Sequence, residues 1–290
     1  MSVRPFISGR YLFMFFTMVA VGLSCNKEAP IPSYVHIDSF TLTTSSLEGS
    51  PSQKIVDAWI YVEDQFVGAF ELPCTVPILT SGSHKIQVYP GIKENGMIKT
   101  RITYPFYNTF EQTILFTPGQ IVNVAPTTSY RSTTYFEWRE DFEGSQSICD
   151  SISSDTVMSI MTVPSEVFEG TGSGAVFLES GKNTYLGSTC NKYTLPQGGA
   201  QVFLELDYNC NTEFNIGVIG YDASGNKNDQ IIALSLRPTT GWNKVYVNMS
   251  SSITNANLSS KFTVFFSMLK NSTISSSYMY LDNVKLVHFN

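Results

Sequence analysis

Five cysteines, three histidines and a few closely spaced acids are the side chains of this sequence that could do chemistry. The histidines are His36, His84 and His288. His84 follows a turn glycine on an alternating strand, with no Ser, Cys or acid partner apparent near it. It reads as a half-buried imidazole bonded to backbone. Glu140 and Asp141 are adjacent, and neighbours on a strand point to opposite faces. A glycosidase needs two carboxylates across a cleft, and no spacing here selects such a pair. The expectation is therefore a non-catalytic protein. Of the cysteines, Cys74, Cys149, Cys190 and Cys210 allow three full pairings, and the spacing does not choose among them. In an exported chain the expectation is one bridge in the C-terminal half, Cys190 to Cys210. Cys74 would then be a small buried hydrophobe. No C-x-x-C or Cys/His spacing suited to zinc is present.

The fifth cysteine, Cys25, closes a different pattern. Residues 1–10, MSVRPFISGR, carry Arg4 and Arg10 and no acid, and residues 11–23 carry no charge. A basic segment before a short apolar run has the layout of a secretory signal, and thirteen residues are few for a spanning helix. Val21-Gly22-Leu23-Ser24-Cys25 resembles the bacterial lipobox. The resemblance implies a signal peptide over 1–24 cut before Cys25, with Cys25 acylated. The alternative is a plain signal peptide with an incidental cysteine. Several acyl chains at about 0.8 kcal/mol per buried CH₂ make a stable anchor. In such lipoproteins an Asp after the cysteine often marks inner-membrane retention. Asn26 in that place implies the outer membrane, and Lys27-Glu28 resembles a surface-export tag, so the cell surface is slightly favoured. Residues 25–34 read as the lipidated cysteine and a Pro-containing tether.

The chain has 290 residues and a net charge of −6. Without the two leader arginines, 16 basic residues stand against 24 acids, a net charge of −8. An acidic chain without a basic block is a poor partner for nucleic acid. Only 14% of residues are charged, against 15 Tyr and 20 Phe. Aromatic runs separated by Ser, Thr, Asn and Gly describe an all-β protein.

Short strands recur over residues 35–128, punctuated by Gly and Pro. In KIVDAWIYV, alternation puts Val56, Ala58, Ile60 and Val62 on one face, which is the expected core. The stretch AWIYVEDQFVG…LPCTVPILTSGSHKIQVYPGIKENG resembles PEGA-type immunoglobulin-like surface modules at Gly68, Pro73, Gly82, His84, Ile86 and Val88. The resemblance implies an immunoglobulin-like β-sandwich of structural or adhesive use. Residues 129–135 read as a linker.

Residues 136–290 open a second pattern. Asp141-Phe-Glu-Gly144, the strand from Gly172 to Leu178, G-W-x-K-V-Y-V from Gly241 to Val247 and Y-L-D-N-V-K-L from Tyr280 to Leu286 resemble the galactose-binding-like jelly roll of many carbohydrate-binding modules. The resemblance implies a structural calcium between the opening and closing strands, held by Glu143 and Asp282 with Glu140 or Asp141 nearby. The alternative is that Asp282 only caps a turn or bonds backbone. It also implies that Trp242 packs the core. Sugar sites pair aromatic platforms with polar groups. Tyr185, Tyr193, Tyr208, Tyr221 and Arg237 are available, but spacing selects none. Asp150-Ser151-Ile152 and Asp155-Thr156-Val157 resemble bacterial O-glycosylation acceptors at Ser151 and Thr156.

These readings converge on a lipid-anchored envelope protein acting as a structural or interaction subunit of an outer-membrane or surface assembly, with a protein partner. The alternative is a glycan-binding accessory lipoprotein for polysaccharide capture. A glycoside hydrolase ranks third.

Overall fold

A computed structural model describes residues 29–290. Cys25, the leader and the start of the tether lie outside these described residues. Nearly every element is a strand, and no described helix is long and apolar enough to cross a membrane.

The first body is built from three small sheets. In one, β1 (Ser33–Ile37) runs between β5 (Cys74–Ile78) and β9 (Ile121–Val124). In the second, β2 (Thr41–Thr43) pairs with β10 (Thr127–Ser129). The third runs β4 (Gln65–Glu71), β3 (Asp57–Val62), β6 (Gly82–Lys93) and β7 (Arg101–Thr103), with β8 (Phe110–Phe116) also on β6. Alternation on β3 decides what is inside: Ala58 and Ile60 are fully buried with Ile86 and Val88 of β6. Trp59 and Tyr61 face the other way.

The second body is a two-layer antiparallel jelly roll. Its first sheet runs β13 (Ser159–Met161), β14 (Ser173–Leu178), β21 (Ser277–Phe289), β16 (Val202–Cys210) and β19 (Asn243–Asn248), with β11 (Thr134–Glu140) on the far half of β21. The second sheet runs β12 (Ile148–Asp150), β15 (Thr184–Thr189), β20 (Lys261–Leu269), β17 (Phe214–Tyr221) and β18 (Lys227–Leu236). Leu204, Leu206, Val245, Val247 and Leu286 of one layer meet Phe214, Ile216, Val264 and Phe266 of the other. A short helix, α1 (Ser250–Asn255), tucks Ile253 into the same core.

The disulfide joins Cys149 to Cys190, which corrects the expected Cys190–Cys210 pair. Cys149 lies opposite Ser188 on the antiparallel β12–β15 pair, and the Cys190 amide bonds Ser147 just before β12. That brings the two thiols together on an exposed edge. Cys210 belongs to the other sheet, and its side chain is fully buried in the core. Burial pushes its thiol up to about 12, and the Sγ–H reaches the Arg237 carbonyl. Cys74 is also a free thiol, half-buried.

The outer face of the first jelly-roll sheet is partly covered by the first body. Phe203, Tyr246 and Val287 project from it into the first body's apolar core. Tyr104 packs on Phe203 and Tyr246, with ring centroids 5.5 and 4.7 Å apart, and Phe106 packs on Phe289 at 4.5 Å. A buried polar set crosses the seam. Glu205, fully buried, accepts from the Tyr104 hydroxyl at 2.6 Å and the Tyr130 hydroxyl at 2.7 Å. Lys285 donates to the Ser50 carbonyl at 2.6 Å, and Ser52 donates to Asp207 at 2.9 Å.

Candidate functional site

What the first body leaves uncovered on that sheet face is aromatic. On β21 the alternation sends Tyr278 and Tyr280 outward, while Met279 and Leu281 enter the core. Phe177 of β14 lies opposite Tyr278, and Tyr280 lies between Ala175 and Asn209. The Trp242 ring, just before β19, stands 6.3 Å from Tyr280 and 5.6 Å from Phe168. Tyr280 is 5.0 Å from Tyr278 and 5.8 Å from Phe177. The five rings form one continuous strip. Tyr280 forms its buried floor, Phe168 is exposed, and Trp242, Tyr278 and Phe177 are half-buried. Burial and a hydrogen bond to Glu166 push the Tyr280 hydroxyl well up, so it stays neutral. Asn209, tied to Thr239 at 3.4 Å, places an amide beside the strip. A pyranose ring has one apolar face and a rim of hydroxyls, and an aromatic strip with an adjacent amide meets both.

Trp242 is thus at the surface and not in the core. The local sequence carried that signal: in Trp242-Asn-Lys-Val-Tyr246 the alternate positions Trp242, Lys244 and Tyr246 share one face, opposite Val245. The same rule applied to Tyr278 and Tyr280 would have found the strip. The tyrosines available from sequence are elsewhere. Tyr185 and Tyr208 are core residues, Tyr193 packs against the core, and Tyr221 lies under the Lys192 ammonium at 3.8 Å.

The residues that follow Trp242 line a cleft between the two bodies, about 410 Å³ in volume. Asn243 and Lys244 line it from β19, Arg237 from the end of β18, and Lys54, Lys93 and Asn95 from the first body. Lys244 is paired with Asp207 at 3.5 Å, and Lys93 with Glu71 at 3.4 Å. Lys54 bonds only a neutral amide, Asn243, through its Nζ, and Arg237 is exposed without an ion pair among the described residues.

The expected calcium pair does other work. Glu143 accepts from the Thr171 amide at 2.8 Å, the Thr171 hydroxyl at 2.7 Å and the Gly172 amide at 3.3 Å. These donors, the Thr171 hydroxyl first, hold its carboxyl below the usual range. A Cβ on Gly170 would stand 1.9 Å from Glu143 Oε1, so only glycine permits this approach. Asp282 accepts from the Glu169 amide at 3.1 Å and the Asn283 amide at 2.8 Å. Both acids therefore grip one loop, residues 169–172. Glu140 binds the Phe142 and Ser147 amides, and Asp141 the Glu143 amide. Glu140, Asp141 and Glu143 line a cavity of about 200 Å³ that Arg139 and Lys285 share. Carboxylates facing N–H donors and two cations do not fit calcium, which needs six to eight oxygens. Among the described residues no three His, Cys, Asp or Glu side chains converge as a metal group.

The histidines have more company than the sequence suggested. His84 Nδ1 is 3.3 Å from Glu63, and its Nε2 lies near Thr80 Oγ1 at 3.1 Å and the Ser81 carbonyl at 2.9 Å. A carbonyl can only accept, so Nε2 carries hydrogen and cannot serve Thr80 as a base. The arrangement closes a turn. His36 bonds Thr75, and His288 meets Glu137 and the Phe289 carbonyl. Ser151 and Thr156 sit half-buried in the loop around fully exposed Ile152.

No family model matches the chain, and no curated protein matches it. Among solved structures it is similar to the enzymatically active domain of bacteriophage CBA120 tailspike protein 4, at 12% identity and TM-score 0.40. That match covers 52% of this chain but only 20% of the tailspike chain. It is similar to the CBM22-1 xylan-binding domain of Paenibacillus barcinonensis Xyn10C, at 11% identity and TM-score 0.36, over 55% of this chain and 97% of that one. A family 11 carbohydrate-binding module of Clostridium thermocellum, in complex with a mixed-linked tetrasaccharide, is 12% identical with TM-score 0.36, over 51% and 92%. The chain is an all-β protein with a jelly-roll sandwich, an assignment that rests on its own strand pairing.

Proposed function

We propose that this protein is a non-catalytic glycan-binding lipoprotein of the bacterial envelope, anchored through Cys25 and displayed on the outer membrane. The aromatic strip of Phe168, Trp242, Tyr280, Tyr278 and Phe177 carries the reading. Phe177, Tyr278 and Tyr280 stand on two neighbouring strands, Phe168 on a loop pinned by Asp282 and Trp242 just before β19, so the strip is formed before ligand arrives. The test is affinity electrophoresis of the full chain in detergent through gels containing different polysaccharides. Wild type is retarded by at least one of them, and Trp242→Ala loses at least tenfold in affinity. Equal retardation of the two proteins would overturn the assignment of the site. Intact mass of Cys25→Ala tests the anchor, because wild type carries acyl mass and the variant does not. The same spectrum reports any sugar on Ser151 or Thr156.

A second reading, a structural subunit docked to a protein partner, is favoured by one observation. Trp59, Tyr61, Tyr89 and Phe66 form an outward aromatic patch on the first body, with neighbouring ring centroids 5.0 to 5.9 Å apart, and Phe66 is 54% exposed. Contiguous apolar surface of this kind marks association sites. A stoichiometric envelope protein co-purifying with wild type, and lost in Phe66→Ser, would favour that reading.

A further inference from the structure

The two residues that follow Trp242 in the chain, Asn243 and Lys244, line the cleft between the bodies, and the cleft is basic. Four cations line it, Lys54, Lys93, Lys244 and Arg237, and among the described residues no acidic side chain does. The chain as a whole is acidic, so this is a local reversal of sign. Two of the four are neutralised from outside the cleft, Lys244 by Asp207 and Lys93 by Glu71. Lys54 and Arg237 keep their charge for whatever enters. They come from different bodies, so the seam itself brings them together. Lys54 is held toward the cleft by Asn243, the residue next to Trp242. Partial burial, with Lys93 nearby, lowers the Lys54 pKa, the mark of a cation lacking a counter-charge.

We infer that the glycan is acidic: an oxyanion carried on a sugar ring, a uronate carboxylate or a sulfate, seats between Lys54 and Arg237 while the neighbouring ring lies on Trp242 and Tyr280. This inference rests on the glycan-binding reading and adds the class of ligand to it. Charged hydrogen bonds to an anion are stronger than neutral ones. A partly enclosed cleft also screens them less than open surface would. Binding should therefore be salt-dependent and selective for charge, with the strip supplying affinity common to neutral and acidic chains.

The test uses the full chain in detergent and calorimetric titration with three oligosaccharides of equal length: an oligogalacturonate, a sulfated galactan fragment and a neutral galacto-oligosaccharide. Inorganic phosphate is the fourth titrant. The expected result is at least tenfold tighter binding of one acidic chain than of the neutral one. The preference falls away in 0.5 M salt and in the Lys54→Met/Arg237→Met double variant, whose melting temperature stays near wild type because neither side chain belongs to a core cluster or, among the described residues, to an ion pair. The sulfated and uronate arms identify which oxyanion fits. Equal binding of neutral and acidic chains would overturn the acidic class and leave glycan binding standing. Acidic preference surviving in the double variant overturns the assigned cleft. Phosphate bound as tightly as the oligosaccharides would mean a basic patch without sugar recognition, and would overturn the inference. Absence of binding by every saccharide removes the glycan reading as well.

Discussion

Single residues at the seam carry charges that burial makes costly, and this gives the protein a readable pH response. Burial pushes Asp282 up to about 7, with Asp207 adding repulsion. Between about pH 4 and 7 the folded chain then holds a proton that the unfolded chain has released, so this group's contribution to stability falls as pH rises through that window. Burial lowers Lys285 to about 8. Above that value the unfolded chain binds the proton that the folded chain lacks, so stability from this group rises between about pH 8 and 10. Melting curves across pH should show both slopes, the first lost in Asp282→Asn and the second in Lys285→Met. Glu205→Ala leaves the Tyr104 and Tyr130 hydroxyls buried without an acceptor and Lys285 without its neighbouring charge. Breaking such a set typically costs about 3–5 kcal/mol, read as a lower urea midpoint. EDTA should leave the melting temperature unchanged, since Glu143 and Asp282 are occupied by amides; a drop restored by calcium would contradict this.

At the scale of elements, alternation was the most legible signal in the sequence. It placed Ala58, Ile60 and Val62 inside the first body, although Val56, expected on the same buried face, is only half-buried. The spacing of strand runs gave the all-β class, and the resemblance of four short motifs gave the C-terminal jelly roll. It failed where family position was allowed to override it, at Trp242, whose outward direction the Lys244 and Tyr246 positions already implied. The disulfide was illegible for another reason. Cys149 and Cys190 meet only because β12 pairs with β15, a partnership across 41 residues that composition does not record. Glu63 and His84 likewise meet across a strand pair. The bridge ties the short edge strand β12 to its sheet, so Cys149→Ser should lower stability by about 2–4 kcal/mol. Cys210 should stay unreactive to thiol reagents until the chain unfolds, because it is fully buried.

At the scale of the molecule, the seam was the least legible feature. A linker between two sandwiches suggests independent beads, and nothing in residues 129–135 says otherwise. The outer positions of β16 and β19 show it only in retrospect, since Phe203 and Tyr246 are too apolar for a solvated face. With a shared core, the two bodies should melt in one transition. A fragment beginning at residue 134 exposes Phe203, Tyr246 and Val287 together with charged Glu205 and Lys285. It should self-associate in gel filtration, where the full chain in detergent should elute as a single species.

The buried Glu205 and its two tyrosines also bear on how such a chain can change over generations. Glu205 lies in one body and both hydroxyls that satisfy it in the other. A sandwich cut from this protein and spliced to a different neighbour would carry an orphaned carboxylate at the splice. The halves are therefore fitted to each other as a matched pair, and a substitution on one side of the joint is answerable to the other.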